Sequence, residues 1–321
     1  MKHAWALALV ALLTAACGDD GAQGDGLAAP GPATENPATD TAFPVTVGSG
    51  ELAVEIQEPP ERIVSLSPTA TEMLFAIGAG ELVVAADEYS TYPEDAPTTD
   101  LSGFTPNIEA IAAYDPDLVV AHTDPGDLAS SLAEIGVPTL MHPAAATLDD
   151  TYTQIEQLGA ATGHVGEAAA VVAQMQADVD ALVASLPPRD EPLTYYHELD
   201  VTFFSVSSDT FIGQLYGLLG MQSIADEAGD ESGGYPQLSP EFIIEADPDV
   251  ILLADAVCCG VDPTEVANRP GWEQLSAVQA ERIISLDEDV ASRWGPRVVE
   301  FLETLAADLV AMELLELEAA Q

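Results

Sequence analysis

The chain has 321 residues, with 7 lysines and arginines against 55 aspartates and glutamates, for a formal net charge of −48. That surplus excludes nucleic acid and anionic membrane surfaces as natural partners, because both would be repelled. The acids are scattered over predicted helix faces, which favours a surface trait of a salt-adapted organism over steering toward a cationic partner.

Lys2 and His3 precede an apolar run from Ala4 to Leu13, too short to span a membrane as a stable helix. Leu13-Thr14-Ala15-Ala16-Cys17 resembles a bacterial lipoprotein signal: residues 1–16 are removed and Cys17 becomes the lipidated first residue. Thr14 leaves a plain secretory signal as the alternative. Residues 17–45, rich in Gly, Ala, Pro, Thr and Asp, have too little apolar content to fold and read as a disordered tether.

A first lobe is expected over residues 60–145. Arg62–Leu66 is an apolar strand, and Ser67-Pro68 opens a helix to Ile77 as N-cap and first helical position. Leu82–Ala85 is the next strand, followed by a helix over Leu128–Ile135 and a strand over Pro138–Met141. Alternating strands and helices with unbroken apolar strands predict a parallel sheet covered on both faces. Residues 147–187 form a linking helical segment, with apolar residues at helical spacing predicting one spine helix over Gly166–Leu186. The second lobe, 190–321, restarts with a strand at Leu193–His197 that Phe203–Val206 is expected to continue. A helix over Thr210–Leu219, a strand over Ile283–Leu286 and a closing helix over Pro296–Leu315 complete it. The fold class is α/β: two Rossmann-like lobes with mainly parallel sheets, joined by one long helix.

Two segments repeat each other without a gap. Asn107–Ala121 and Ser239–Leu253 each run as a short helix, an Asp-Pro-Asp turn and a buried strand, and Glu109 falls on Glu241. A matched glutamate on each of two similar lobes implies a surface gripped at two points. Each sits in a first helical turn, where the dipole favours a carboxylate able to accept a guanidinium bidentately.

Taken in order, Arg62–Glu72, Tyr89-Ser-Thr-Tyr-Pro93, Asn107-Ile-Glu109, Asp115–Val119 and Tyr235–Glu241 resemble the substrate-binding proteins of bacterial ABC importers for cobalamin, haem and iron-siderophores. The resemblance covers residues 60–310. It implies a monomer, lipid-anchored outside the cytoplasm, that delivers a corrinoid or ferric chelate to a permease dimer, with Glu109 and Glu241 meeting one permease subunit each. It implies no enzymatic activity and no resident cofactor or metal. The last segment, with Trp294-Gly-Pro-Arg297, leans toward cobalamin.

A ligand between the lobes would lie beyond the C-terminal strand ends. Candidate pocket residues are Tyr89, Phe104, His122, His197, Phe204, Tyr235 and Trp294, with Phe203 and Phe204 dividing between pocket and core. Aromatic faces suit a large, flat, partly apolar ligand. Arg293 and Arg297 either meet an anionic group of the ligand or pair with acids of the chain. Cys258 and Cys259, adjacent in an exported protein, are expected to close a vicinal disulfide. The competing class is an extracytoplasmic metal-binding or redox enzyme using His122, His197, Cys258 and Cys259. No nucleophile elbow, phosphate loop or metalloprotease motif accompanies them.

Overall fold

A computed structural model describes residues 43–229 and 233–319. Residues 1–16, Cys17 and the tether up to residue 42 lie outside the described residues. The first elements are ones that pattern reading passed over. β1 (Val45–Val47) and β2 (Val54–Ile56) form an antiparallel hairpin whose Val47 and Ile56 are buried in the main core. Folded structure therefore begins ahead of residue 60, and the expected tether ends two residues into a folded segment.

The first lobe is a five-stranded parallel sheet of β3 (Ile63–Leu66), β4 (Val83–Asp87), β5 (Thr98–Leu101), β6 (Leu118–Ala121) and β7 (Thr139–Met141), in the order β5-β4-β3-β6-β7. All four residues of β3 and of β6 are buried, as unbroken apolar runs require of strands covered on both faces. Ser67 caps the following helix Pro68–Ala76 by accepting from the Ala70 N–H, with Pro68 at the first position, where no N–H is needed.

Two helices link the lobes. Leu148–Thr162 starts with a reciprocal Thr147–Asp150 capping box and ends at Gly163, whose φ of 79° is left-handed. Val165–Ser185 follows, 21 residues or about 30 Å long. They pack so closely that a Cβ at Gly159 would lie 2.4 Å from that of Ala168, so only glycine permits the approach.

The second lobe is a four-stranded parallel sheet of β8 (Leu193–Glu198), β9 (Met221–Ser223), β10 (Val250–Leu253) and β11 (Ile283–Ser285), ordered β11-β10-β8-β9. It reproduces β7-β6-β3-β4 of the first lobe and lacks only the edge strand. Phe203–Val206 does not continue β8. Phe203 takes a left-handed φ of 66°, which turns the chain, and Phe204 makes only a lone antiparallel bridge to Gln237. The closing helix Val298–Ala319 packs on Val165–Ser185. One apolar core runs from the hairpin through both linking helices to the closing helix, while each lobe keeps a second core on its outer sheet face.

The duplication extends to the turns, although the first helix is 5 residues long and the second 7. Asp115 and Asp247 both follow their helices in left-handed conformation, at φ of 51° and 45°, and each precedes a proline. The second aspartate of each turn then ties down the neighbouring strand. Asp117 accepts from the N–H groups of Glu61 and Arg62, and Asp249 from the N–H and hydroxyl of Thr194.

Candidate functional site

The C-terminal strand ends of both lobes face one cleft made of two adjoining cavities. The first, of about 350 Å³, is lined by Pro68, Tyr89, Phe104, His122, Arg293 and Trp294 among others. The second, of about 310 Å³, is lined by His197, Val206, Phe211, Tyr235, Glu288 and Trp294 among others. Ser292 and Trp294 belong to both.

On the first-lobe side the rings interlock. Phe104 meets Tyr89 edge-on at 5.9 Å between centroids and His122 edge-on at 5.5 Å. Their placement follows from the sheet: His122 directly succeeds β6, and Tyr89 lies in the turn after β4. His122 donates from Nδ1 to the Leu66 carbonyl at 3.3 Å, which orients the imidazole. Tyr89 and Phe104 are 52% and 61% exposed, so large apolar faces stand open at the mouth.

On the second-lobe side, Tyr235 is exposed and Trp294 half-buried. Trp294 donates from Nε1 to Gln154 Oε1 at 2.9 Å, and Gln154 in turn donates to the Pro143 carbonyl at 2.7 Å. His197 is buried, and its Nδ1 lies 2.9 Å from the Tyr216 hydroxyl. Its Nε2 has no partner, and burial pushes its pKa down to about 3, so the ring is neutral.

The structure thus gathers Tyr89, Phe104 and His122 around one cavity, His197 and Tyr235 around the other, and Trp294 between them. Phe204, 37% exposed, is not among the residues lining either cavity. Phe203 is the core member of that pair, tilted against Trp272 at 6.2 Å and beneath the Arg269 guanidinium. Glu109 and Glu241 are exposed in the first turns of Ile108–Ala112 and Pro240–Ala246. The caps are alike: Asn107 accepts from the Ala110 N–H and Ser239 from the Phe242 N–H, each at 3.1 Å.

Arg293 and Arg297 turn inward. Both pair with Glu72, buried on the Pro68–Ala76 helix of the other lobe. The one mark of Glu72 in the sequence is a lone acid beside Met73 and Leu74 on an apolar helix. Gln154 carried no signal at all.

Cys258 and Cys259 are free, exposed thiols on the short helix Ala256–Cys259, so the expected vicinal disulfide is not formed. The hydrogen bond to Cys259, with burial and nearby acids, pushes the Cys258 thiol up to about 11, away from reactive thiolate. Among the described residues no three His, Cys, Asp or Glu side chains are grouped to hold a metal ion. No helix among them is long and apolar enough to cross a membrane.

Residues 63–290 match the family described as periplasmic binding protein. The chain is 30% identical over 314 residues to an uncharacterized ABC transporter substrate-binding lipoprotein of Bacillus subtilis, covering 95% of each chain. It is 30% identical to a cobalamin-binding protein of Halobacterium salinarum, over 88% of this chain and 79% of that one. A solved periplasmic vitamin B12 binding protein of Vibrio cholerae superposes with a TM-score of 0.63 at 28% identity, over 79% of this chain and 98% of that one. These relatives are binding proteins, and the metal or redox enzyme reading has no support among them. The chain belongs to the periplasmic binding protein family, as an extracytoplasmic substrate-binding protein of ABC transport.

Proposed function

We propose that this protein, tethered to the membrane through a lipidated Cys17, captures a corrinoid between its lobes and hands it to a permease dimer. Tyr89, Phe104, His122, His197, Tyr235 and Trp294 are the contact residues, and Glu109 and Glu241 are the two docking points. The observation that carries the reading is the pair of cavities meeting at Trp294, with aromatic rings open from both lobes. That arrangement suits a broad, partly apolar ring system.

Charge supports a corrinoid over haem or an anionic ferric chelate. Each arginine is already engaged: Arg62 with the carbonyls of Tyr114 and Asp115, Arg189 with that of Leu219, Arg282 with that of Asp249. Arg269 pairs with Glu198, and Arg293 and Arg297 with Glu72. Ligand carboxylates would meet Glu288 in one cavity and, in the other, Asp289 beside an Arg293 already committed to Glu72, the Tyr89 carbonyl and Asp289. The neutral amides fringing a corrin avoid that repulsion.

Calorimetric titration with cyanocobalamin, haem and a ferric siderophore tests the ligand. Tight binding of cyanocobalamin alone is expected; tight haem binding with none of the corrinoid would overturn the assignment. Docking is tested by Glu109→Ala with Glu241→Ala, which should leave affinity unchanged and abolish uptake through a reconstituted cognate transporter. Intact uptake would remove both residues from that role.

A further inference from the structure

Glu72 is reached from the opposite lobe by two guanidiniums at once. Arg293 donates to Oε1 at 2.8 Å, and Arg297 to Oε1 at 2.6 Å and Oε2 at 3.0 Å. The partners are 221 and 225 residues apart in sequence. Both Glu72 and Arg293 are buried, so water screens this contact little. Arg293 spends its remaining amine on the Tyr89 carbonyl, at 3.0 Å, and on Asp289, at 2.9 Å. Arg297 lies 4.2 Å above the Tyr92 ring. The turn is drawn in tightly: a Cβ at Gly295 would stand 3.2 Å from Glu72 Oε2. Trp294 sits between the two arginines, held from the other side by Gln154.

From this geometry we infer that Glu72, Arg293 and Arg297 are positioning residues for ligand capture, a cross-lobe tie that fixes the Tyr89 loop opposite Trp294 and so sets the width of the cleft. The tie rests on reading this cleft as the ligand site, but its mechanics do not need the ligand. Tyr89 is held by its backbone from a residue of the other lobe, so the ring's position depends on the lobes' separation. A binding protein whose lobes are held this way selects by fit to a preformed gap rather than by closing around its cargo. A guanidinium fork is needed, because one side chain must serve a carboxylate and a carbonyl in fixed directions.

Two variants of the full chain test the tie. Arg293→Lys keeps the charge beside Glu72 and loses the fork. The triple change Glu72→Met, Arg293→Met, Arg297→Met replaces the whole cluster by apolar side chains, a swap that folded proteins commonly tolerate. Amide hydrogen exchange is read over residues 88–93 and over β3 and β8, alongside cyanocobalamin titration. Both variants should exchange faster over 88–93 while β3 and β8 stay protected, and the corrinoid should bind about tenfold more weakly or worse. Unchanged exchange over 88–93 in both variants would overturn the tie. Faster exchange everywhere would also overturn it, because it would show only a stability role. If the unaltered protein binds no corrinoid, the functional reading fails and the exchange comparison still decides the tie.

Discussion

β3 and β8 hold the same place in matched sheets, yet the two lobes solve the problem of polar groups at their centre differently. Pairing with β6 and β10 puts Ser65 and Leu66 of the first lobe in register with His197 and Glu198 of the second. In the first lobe a chain of hydroxyls does the work: the Thr71 hydroxyl lies 2.8 Å from that of Ser65 and 2.9 Å from that of Ser90, which donates to Asp87 at 2.7 Å. In the second lobe an ionic cluster does it. Arg269 donates to Glu198 through both terminal nitrogens and stacks over Trp272 at 4.8 Å, and Tyr196 donates to Glu198 as well. Backbone architecture therefore does not dictate the polar interior. A relay of hydroxyls ending on a carboxylate tolerates loss of one hydroxyl, whereas a buried ion pair does not tolerate loss of a partner.

The largest expected effect comes from breaking that pair. Glu198→Ala leaves Arg269 without its carboxylate and should cost about 3–5 kcal/mol in urea unfolding. Glu198→Leu with Arg269→Met, which gives the second lobe the leucine of the first, should recover most of it. Thr71→Val in the first lobe should cost less, about 1–3 kcal/mol, because it strands hydroxyls and no charge. Equal losses for Glu198→Ala and Thr71→Val would erase the contrast between the lobes.

Next comes pH. Burial lowers His197 to about 3 and His142, at the end of β7, to about 4. Both rings are neutral in the fold, while the unfolded chain takes up protons below the usual value of 6.5. Stability is therefore intact above pH 6.5 and falls as pH drops, to about 4 for His142 and about 3 for His197. Each contributes a slope approaching ~1.4 kcal/mol per pH unit. His197→Gln should remove one such slope from denaturation curves recorded between pH 4 and 6. An unaltered slope would show that the ring is not buried neutral.

Asp255 works in the opposite sense. It is buried with both carboxylate oxygens unpartnered, and burial, with Glu198 nearby, raises it from 3.8 to about 6. Its ionised form is penalised in the fold, fully so above pH 6, and the penalty disappears below 3.8. Asp255→Asn should raise the melting temperature by a few degrees at pH 8 and leave it unchanged near pH 4. A gain that persists near pH 4 would assign the effect to packing instead.

The smallest effect concerns the two glutamates that the duplication equates. Glu109→Ala and Glu241→Ala should each change stability by about 0.5 kcal/mol or less, since each removes only a charge at an exposed helix start. A clearly larger cost for one would mean that it serves its own lobe and that the pair is not equivalent.

The architecture was legible where the code is local. The unbroken apolar strands, the Ser67-Pro68 start and the ungapped Asp-Pro-Asp repeat all became elements within a residue or two of their expected bounds. The β1–β2 hairpin was not, because three-residue strands among glycines and acids leave no period to read. Phe203–Val206 looked like a strand by composition, and only the left-handed Phe203 shows why it turns. Of the site, Tyr89, His122 and Trp294 followed from their places after strands or before a helix. The pairing of Glu72 with Arg293 and Arg297 did not, because contacts across 221 and 225 residues leave no local trace. His197 lines its cavity, as its place near the end of a strand suggests, but its Tyr216 partner, 2.9 Å from Nδ1, leaves no local trace.

The apolar core that threads the hairpin, both linking helices, the inner faces of the sheets and the closing helix has a consequence for how the molecule comes apart. Leu74 of the first lobe, Val172 of the linking helix and Leu302 of the closing helix belong to one continuous packing unit. Neither lobe can lose its structure without uncovering the other's buried surface, so partial opening has little to gain. Heating should give a single calorimetric transition, and a cut between residues 187 and 191 should leave two fragments that hold together until both melt.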